Sequence, residues 1–182
     1  MQRMRPKRLG IVALIWGFAE ATLFFIVADV LLTFSAVGDR EATRRACVSA
    51  TIGALLGGSL MYVLSSHYPG SLDPVFLKLP GVHEQTLLSV IELTERLGAF
   101  ALFPAGFLGI PYKLFAAEFG ERGINFPLFF IASGLARWLR FSVTSECVGW
   151  LFAGPFKSVS QRIAFGALAI AWSGFYLWYF TS

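Results

Sequence analysis

The sequence predicts an all-α integral membrane protein with about three full transmembrane helices, two opposed re-entrant helical hairpins and an amphipathic helix. Hydrophobic residues make up 56% of the 182 residues, and the mean hydropathy is +0.66. Charged residues make up only 14%, whereas about a quarter of a typical soluble domain is charged. Apolar runs long enough to cross a bilayer alternate with short polar segments. Residues 1–182 are therefore expected to form a single membrane domain.

Residues 1–8 are predicted to be a basic cytoplasmic N-terminus. They hold four positive charges and no negative charge, and the first acid of the chain is Glu20. Positive residues beside an apolar run mark its cytoplasmic side and can contact anionic headgroups. The rest of the chain has 11 basic and 11 acidic residues, so the net charge of +4 gives no indication of nucleic-acid binding. The expected partners are membrane lipids.

The apolar segment 9–37 contains two acids, Glu20 and Asp29, and is predicted to hold the first re-entrant hairpin. On one straight helix, nine residues at about 100° each would turn the two carboxylates to opposite sides. One of them would then face lipid, where a charge near the bilayer centre costs about 2.5–3.5 kcal/mol. A bend between the acids lets both face one polar site. The stretch "FIVAD" is predicted to form this bend without Pro or Gly.

A full transmembrane helix is predicted at 43–66, because the run from Ala46 to Ser66 is uncharged and about as long as a span requires. Small residues recur in it at a spacing of four, which predicts close packing against another helix. An amphipathic helix is predicted at 82–98, where apolar and charged residues alternate until Gly98. The charged residues of this helix are Glu84, Glu92, Glu95 and Arg96.

The segment 99–120 is predicted to form the second re-entrant hairpin, because it is apolar yet interrupted by two prolines and two glycines. These helix-breaking residues are Pro104, Gly106, Gly109 and Pro111. Non-helical backbone at membrane depth is tolerated where protein or a wet cavity covers it. Full transmembrane helices are predicted at 124–152 and 162–180, and the second of these ends in aromatic residues typical of a membrane interface.

Five charged side chains lie within these apolar segments: Glu20, Asp29, Lys113, Arg137 and Arg140. If all five were central and unpaired, they would cost roughly 12–18 kcal/mol, which rivals the stability of a whole domain. They are therefore expected to be paired. Arg137 and Arg140 share one helix face, and their anions are predicted to be either the two acids or a phosphate group. For Arg140 and Glu146, snorkelling to the membrane interface is the alternative.

Three blocks of the sequence resemble the DedA superfamily of membrane proteins, also called VTT-domain or SNARE-associated proteins, and within it the short YqaA-like branch. The blocks are "EATLFFIVADVLL", "TIGALLGGSLMYVLSSHYPG" and "FPAGFLGIPYKLFAAEFG…INFPLFFIASGLARWLRF". Their order and spacing cover about Trp16 to Trp150, which is most of the chain. The resemblance implies an integral membrane protein with two opposed re-entrant hairpins.

The resemblance also implies a function, because family members are associated with lipid translocation. In bacteria the lipids are undecaprenyl phosphate or phospholipids, eukaryotic relatives scramble lipids, and proton coupling has been proposed for some members. The family's acids correspond here to Glu20 and Asp29. Its second hairpin commonly carries two arginines; Lys113 stands at one of these places, and no basic residue lies near Gly106 for the other. Arg137 and Arg140 are candidates to replace the missing charge.

The predicted function is a flippase- or scramblase-like translocase for a phosphate-bearing lipid such as undecaprenyl phosphate or a phospholipid. Lys113, Arg137 and Arg140 are predicted to bind the phosphate, and Glu20 and Asp29 to balance it and couple protons or ions. The expected location is the bacterial cytoplasmic (inner) membrane.

Two other functions are compatible with the same charges. One is a proton- or ion-coupled small-solute transporter, and the other is a non-catalytic membrane scaffold whose charges form structural ion pairs. An enzyme is not expected, because no nucleophile–base pair, metal cluster or phosphate loop has a usable spacing. No cofactor, metal ligand or catalytic residue is predicted. The sequence leaves the oligomeric state open.

Overall fold

The computed structural model describes residues 5–181, and every regular element in that range is a helix, as the all-α prediction requires. Part of the predicted basic N-terminus, including Arg3, lies outside the described residues. In chain order the helices are α1 (Pro6–Glu20), α2 (Asp29–Ala36), α3 (Arg40–His67), α4 (Asp73–Phe76), α5 (Glu84–Leu97), α6 (Leu102–Leu108), α7 (Tyr112–Glu121), α8 (Phe126–Ala153) and α9 (Gln161–Thr181). A short 3₁₀ helix, Gly98–Ala101, joins α5 to α6.

Within residues 5–181, two helices are long and apolar enough to cross a membrane, α3 and α9. This supports membrane association by length and composition. The remaining predicted span, at 124–152, corresponds to α8. This helix has 28 residues, like α3, but carries Arg137, Arg140 and Glu146. Only 6% of the most apolar window of α9 is buried, so this helix presents an almost entirely exposed apolar surface.

The first apolar segment is not one straight helix, because α1 ends at Glu20 and α2 begins at Asp29. α1 runs parallel to α3 at very close range. A Cβ added at Gly53 would overlap the Leu14 carbonyl oxygen, and one added at Gly17 would overlap the Ala50 carbonyl oxygen. The small residues of α3 thus allow direct contact of the two helix backbones, as their spacing predicted.

α2 returns along α3 in the opposite direction. The hydroxyl oxygens of Ser35 and Thr43 are 2.9 Å apart, and the Asp39 side chain accepts from the Ala42 N–H as the N-cap of α3. Because α1 starts beside the N-terminal part of α3 and α2 ends there, α1 and α2 form a helical hairpin. The turn of this hairpin lies deeper along α3, where Ala21 packs against Gly57.

α6 and α7 form a second helical hairpin, which points along α3 in the direction opposite to that of the α1–α2 hairpin. α6 ends at Gly109, whose φ of +79° is left-handed, and Pro111 precedes α7. Tyr112 at the start of α7 packs against Gly58, whereas Gly120 near its end packs against the Tyr62 backbone. α7 therefore runs parallel to α3 away from the turn of the first hairpin.

α8 runs antiparallel to α3 and closes the bundle. The Tyr62 hydroxyl donates to the Ile124 carbonyl at one end, and the Cys47 Sγ lies 3.3 Å from the Ser145 Oγ toward the other. The amphipathic helix α5 is joined to the segment after α7 by the Arg122–Glu95 ion pair at 3.0 Å. The turns of the two hairpins lie next to each other, because Lys113 at the start of α7 donates to the carbonyl of Phe24, between α1 and α2, at 2.8 Å.

The close approach of α1 and α3 predicts a strong effect of a single methyl group. Gly53→Ala should lower the free energy of unfolding by about 1–3 kcal/mol, because the added Cβ meets backbone rather than a movable side chain. The matched control is Gly174→Ala in α9, where no atom lies within 4 Å of the added Cβ. The control should be neutral or stabilising by up to about 1 kcal/mol. Denaturation in detergent measures both, and equal effects would contradict the packing described.

Candidate functional site

The first component of the site is the backbone of residues 21–28, between α1 and α2. Side chains from other parts of the chain bind its main-chain atoms. The Trp16 indole Nε1 donates to the Ile26 carbonyl at 2.9 Å. The Lys113 ammonium donates to the Phe24 carbonyl at 2.8 Å. We refer to residues 21–28 as the α1–α2 break.

Two N–H groups of the break also have side-chain partners. The Val27 N–H donates to the Tyr176 hydroxyl at 2.9 Å, and the Ala28 N–H donates to Glu20 Oε2 at 3.2 Å. Backbone groups that leave a helix away from water need such partners. Side chains of α1, α7 and α9 thus replace the helical hydrogen bonds that the break loses.

Glu20 also forms a buried ion pair with Arg137 of α8. The Glu20 residue is 7% exposed and Arg137 is 4% exposed. The Arg137 guanidinium carbon lies 5.2 Å from the centre of the Tyr112 ring and 4.4 Å from that of Phe141. These rings stabilise the buried cation by cation–π contact and limit its movement.

Asp29 and Arg140 form a second ion pair, with 3.1 Å between Arg140 Nε and Asp29 Oδ2. The other carboxylate oxygen, Oδ1, accepts from the Thr144 hydroxyl at 2.7 Å. Asp29 is the first residue of α2, where the helix dipole favours a negative charge. Both oxygens of this fully buried carboxylate therefore have a partner.

Lys113 differs from the two arginines, because among residues 5–181 no carboxylate lies within ion-pair distance of it. It is 3% exposed, and its ammonium donates to a neutral carbonyl, that of Phe24. The cluster thus contains three cations and two anions. With every group ionised its net charge is +1, which is costly to bury without an anion nearby.

A cavity of about 50 Å³ lies beside this cluster. Its charged lining residues are Glu20, Lys113 and Arg140, and its wall includes both hairpin turns and three aromatic residues of α9. The aromatic lining residues are Phe24, Phe25, Tyr112, Phe175, Tyr176 and Tyr179. One water molecule needs about 10–15 Å³, so the cavity can hold a few waters or a small anion. A smaller cavity of about 10 Å³ touches Arg137 and Arg140.

The five charged residues singled out from the sequence lie together in this structure. Of the alternatives for the arginines, the carboxylates are the partners seen: Glu20 for Arg137 and Asp29 for Arg140. Arg140 lies inside the cluster, paired with Asp29. Its Cδ lies 3.5 Å from the place of a Cβ on Gly106, so the Arg140 side chain passes close to α6 of the second hairpin.

Glu146 does not join the cluster. It pairs with Arg40 and Arg44 at 2.5 Å each, beside the N-terminal end of α3, and its side chain is 33% exposed. Glu146 therefore has two arginine partners of its own, outside the cluster.

Several polar contacts of the site were not found from the sequence. Thr144 lies four residues after Arg140 on the same helix face, a spacing that could have revealed it. Tyr176 binds a main-chain N–H, for which the sequence contains no signal. Among the described residues, no three His, Cys, Asp or Glu side chains come together as a metal ion would require.

The chain is 22% identical over 158 residues to a protein of Haemophilus influenzae described as uncharacterized. The aligned region covers 85% of this chain and 81% of that protein, so the likeness extends over most of both. No family model matches the chain. No solved structure matches it either.

The Glu20–Arg137 pair predicts strong energetic coupling between the two residues. Glu20→Gln or Arg137→Gln alone should each destabilise by about 3–5 kcal/mol, because each leaves a buried charge without its partner. The double variant should cost less than the sum of the two by about 1–3 kcal/mol. A matched cycle on the exposed Arg96–Glu92 pair should show coupling below about 0.5 kcal/mol. Additive effects at Glu20 and Arg137 would contradict the pairing.

Proposed function

We propose that this chain is an integral membrane protein of the DedA, or VTT-domain, superfamily that moves a phosphate-bearing lipid across the bilayer. In this proposal α3 and α8 are the full spans, α9 is a lipid-facing apolar helix whose last turns lie beside the α1–α2 break, and α1–α2 and α6–α7 are re-entrant hairpins entering from opposite sides. The N-terminus is cytoplasmic, and the membrane is the bacterial cytoplasmic membrane. The observation that carries the proposal is a buried cluster of net positive charge between the two hairpin turns.

The dimensions of the helices support this membrane placement. α3 has 28 residues, or about 42 Å of helix, which exceeds a hydrocarbon core of about 30 Å. Its charged residues Arg40, Glu41, Arg44 and Arg45 stand at one end, and Gly57 lies near the middle of its uncharged part. Because the turn of the first hairpin packs against Gly57, this turn comes to the centre of the bilayer. Broken helices that meet at mid-depth around a polar site are the plan of many transporters.

The charge balance supports an anionic substrate. Lys113 has three N–H donors, and the Phe24 carbonyl takes one of them. Two donors remain for the oxygens of a phosphate group in the adjoining cavity, where Arg140 also contributes to the wall. A phosphate there would offset the surplus positive charge of the cluster. The cavity has no room for a lipid chain, so the chain would stay in the bilayer while the headgroup passes through the protein.

The two acids balance the cations, and Glu20 is better placed than Asp29 to exchange protons. Glu20 lines the cavity, whereas Asp29 does not, and both oxygens of Asp29 are already bound. In the proposed cycle, protonation of Glu20 breaks the attraction to Arg137 and raises the net charge of the cluster to +2. The anion then binds more strongly, and loss of the proton helps to release it.

A second candidate function, a non-catalytic scaffold, is favoured by one observation. Each carboxylate of the cluster already has a cation partner, and Glu20 and Lys113 also bind backbone atoms of the α1–α2 break. The same contacts would be needed by a protein that only holds its own fold. The two candidates differ in one measurable respect, because a scaffold moves no lipid.

The experiment is a lipid-movement assay in vesicles reconstituted with the full chain and a labelled lipid monophosphate. Wild-type protein should raise the rate of transfer between leaflets above that of protein-free vesicles. Lys113→Met should lower the protein-dependent rate by about tenfold or more, since a lost hydrogen bond to a charged group is worth about 1.5–3 kcal/mol. The matched control is Lys78→Met, in the exposed loop before α5, and it should leave the rate unchanged.

Two outcomes would overturn the proposal. A wild-type rate equal to that of empty vesicles would favour the scaffold. Equal rates for wild type and Lys113→Met, with both proteins folded by far-ultraviolet circular dichroism, would exclude Lys113 as a phosphate ligand.

A further inference from the structure

A second concave surface lies on the outer face of α1, next to the α1–α2 break. It is an open groove of about 300 Å³, and its wall is entirely apolar. The lining residues are Val12, Ile15, Trp16, Ala19 and Phe24. We refer to this surface as the α1 groove.

Phe24 belongs to both the α1 groove and the charged cavity. Its carbonyl oxygen accepts the 2.8 Å hydrogen bond from Lys113, while its ring forms part of the groove wall. The ring meets Trp16 edge-on at 6.0 Å between centroids, and the Trp16 indole is anchored on Ile26 of the break. One residue therefore separates an apolar groove from a cationic cavity.

We propose that the α1 groove binds the hydrocarbon chain of the lipid whose phosphate binds at Lys113. This inference rests on the proposed function and adds to it the position of the lipid chain. A molecule that fills both surfaces needs an anionic group joined directly to an alkyl or isoprenoid chain. A neutral lipid can fill the groove alone, and a free phosphate can fill the cavity alone. The structure thus favours a lipid with a compact phosphate headgroup.

The groove binds the lipid chain through its shape. In a bilayer a lipid chain leaves one apolar environment for another, so the hydrophobic effect gives little. Close packing against fixed side chains remains, and each contact is small but many add up. The groove orients the chain so that its phosphate reaches Lys113 past the Phe24 ring.

α1 offers a matched pair of positions for testing this. Ile15 lines the groove and is 60% exposed; Ile11 lies one turn earlier, is 61% exposed and is not part of the groove wall. Ile15→Trp would fill the groove, whereas Ile11→Trp would add equal bulk outside it. Since both side chains are exposed, neither substitution disturbs the core. Ala19→Phe provides a second blocking variant within the groove.

The experiment measures binding of two probes, dodecyl monophosphate and inorganic phosphate, to the full chain in maltoside micelles by native mass spectrometry. Ile15→Trp should weaken binding of dodecyl monophosphate by about tenfold, the loss expected when a chain gives up on the order of ten carbon contacts. Binding of inorganic phosphate should not change. Ile11→Trp should change neither affinity, and Lys113→Met should weaken both.

Each alternative outcome separates this inference from the proposed function. If Ile15→Trp and Ile11→Trp affect dodecyl monophosphate equally while Lys113→Met weakens both probes, the groove holds only bulk lipid or detergent and the inference is wrong. The phosphate site then stands. If Lys113→Met changes neither probe, the phosphate site is wrong and the inference fails with it.

Discussion

The hydrogen bonds made by the main chain of residues 21–28 are the interactions on which the rest of the structure depends. The break removes helical partners from N–H and C=O groups in an otherwise apolar protein, and such groups are costly to leave unpaired. Trp16, Glu20, Lys113 and Tyr176 bind four of these groups. These side chains come from α1, α7 and α9, so the second hairpin and the last helix both stabilise the break.

The side chains that hold the break are also those that give the site its charge. Glu20 binds both the Ala28 N–H and Arg137, and Lys113 binds the Phe24 carbonyl while lining the cavity. In the proposed function, a change of charge at Glu20 would therefore alter the support of the break as well as the affinity for an anion. Substrate binding and hairpin conformation would be coupled through the same two residues, which is the kind of two-state element that transport requires.

Much of the helix pattern follows from the sequence, because proline, glycine and isolated charges mark where apolar runs end. The interruption at Gly109 and Pro111 has this local signal, whereas the α1–α2 break has neither Pro nor Gly and was inferred from the angle between Glu20 and Asp29. The ion-pair partners of the charged side chains are harder to predict from the sequence. From the sequence alone, either the two acids or a phosphate group can be the anion for Arg137 and Arg140, and only tertiary packing selects between them. Contacts to main-chain atoms, such as that of Tyr176, have no sequence pattern at all.

The most direct test of the account is whether both ends of the α1–α2 hairpin lie on the same side of the membrane. Single cysteines at Arg5, Glu41 and His67, in a chain with Cys47→Ala and Cys147→Ser, can be labelled with an impermeant thiol reagent in oriented vesicles. With a re-entrant first hairpin, Arg5→Cys and Glu41→Cys should react from the same side and His67→Cys from the other. Reaction of Arg5→Cys and Glu41→Cys from opposite sides would show that the first apolar segment crosses the bilayer, and would contradict the account.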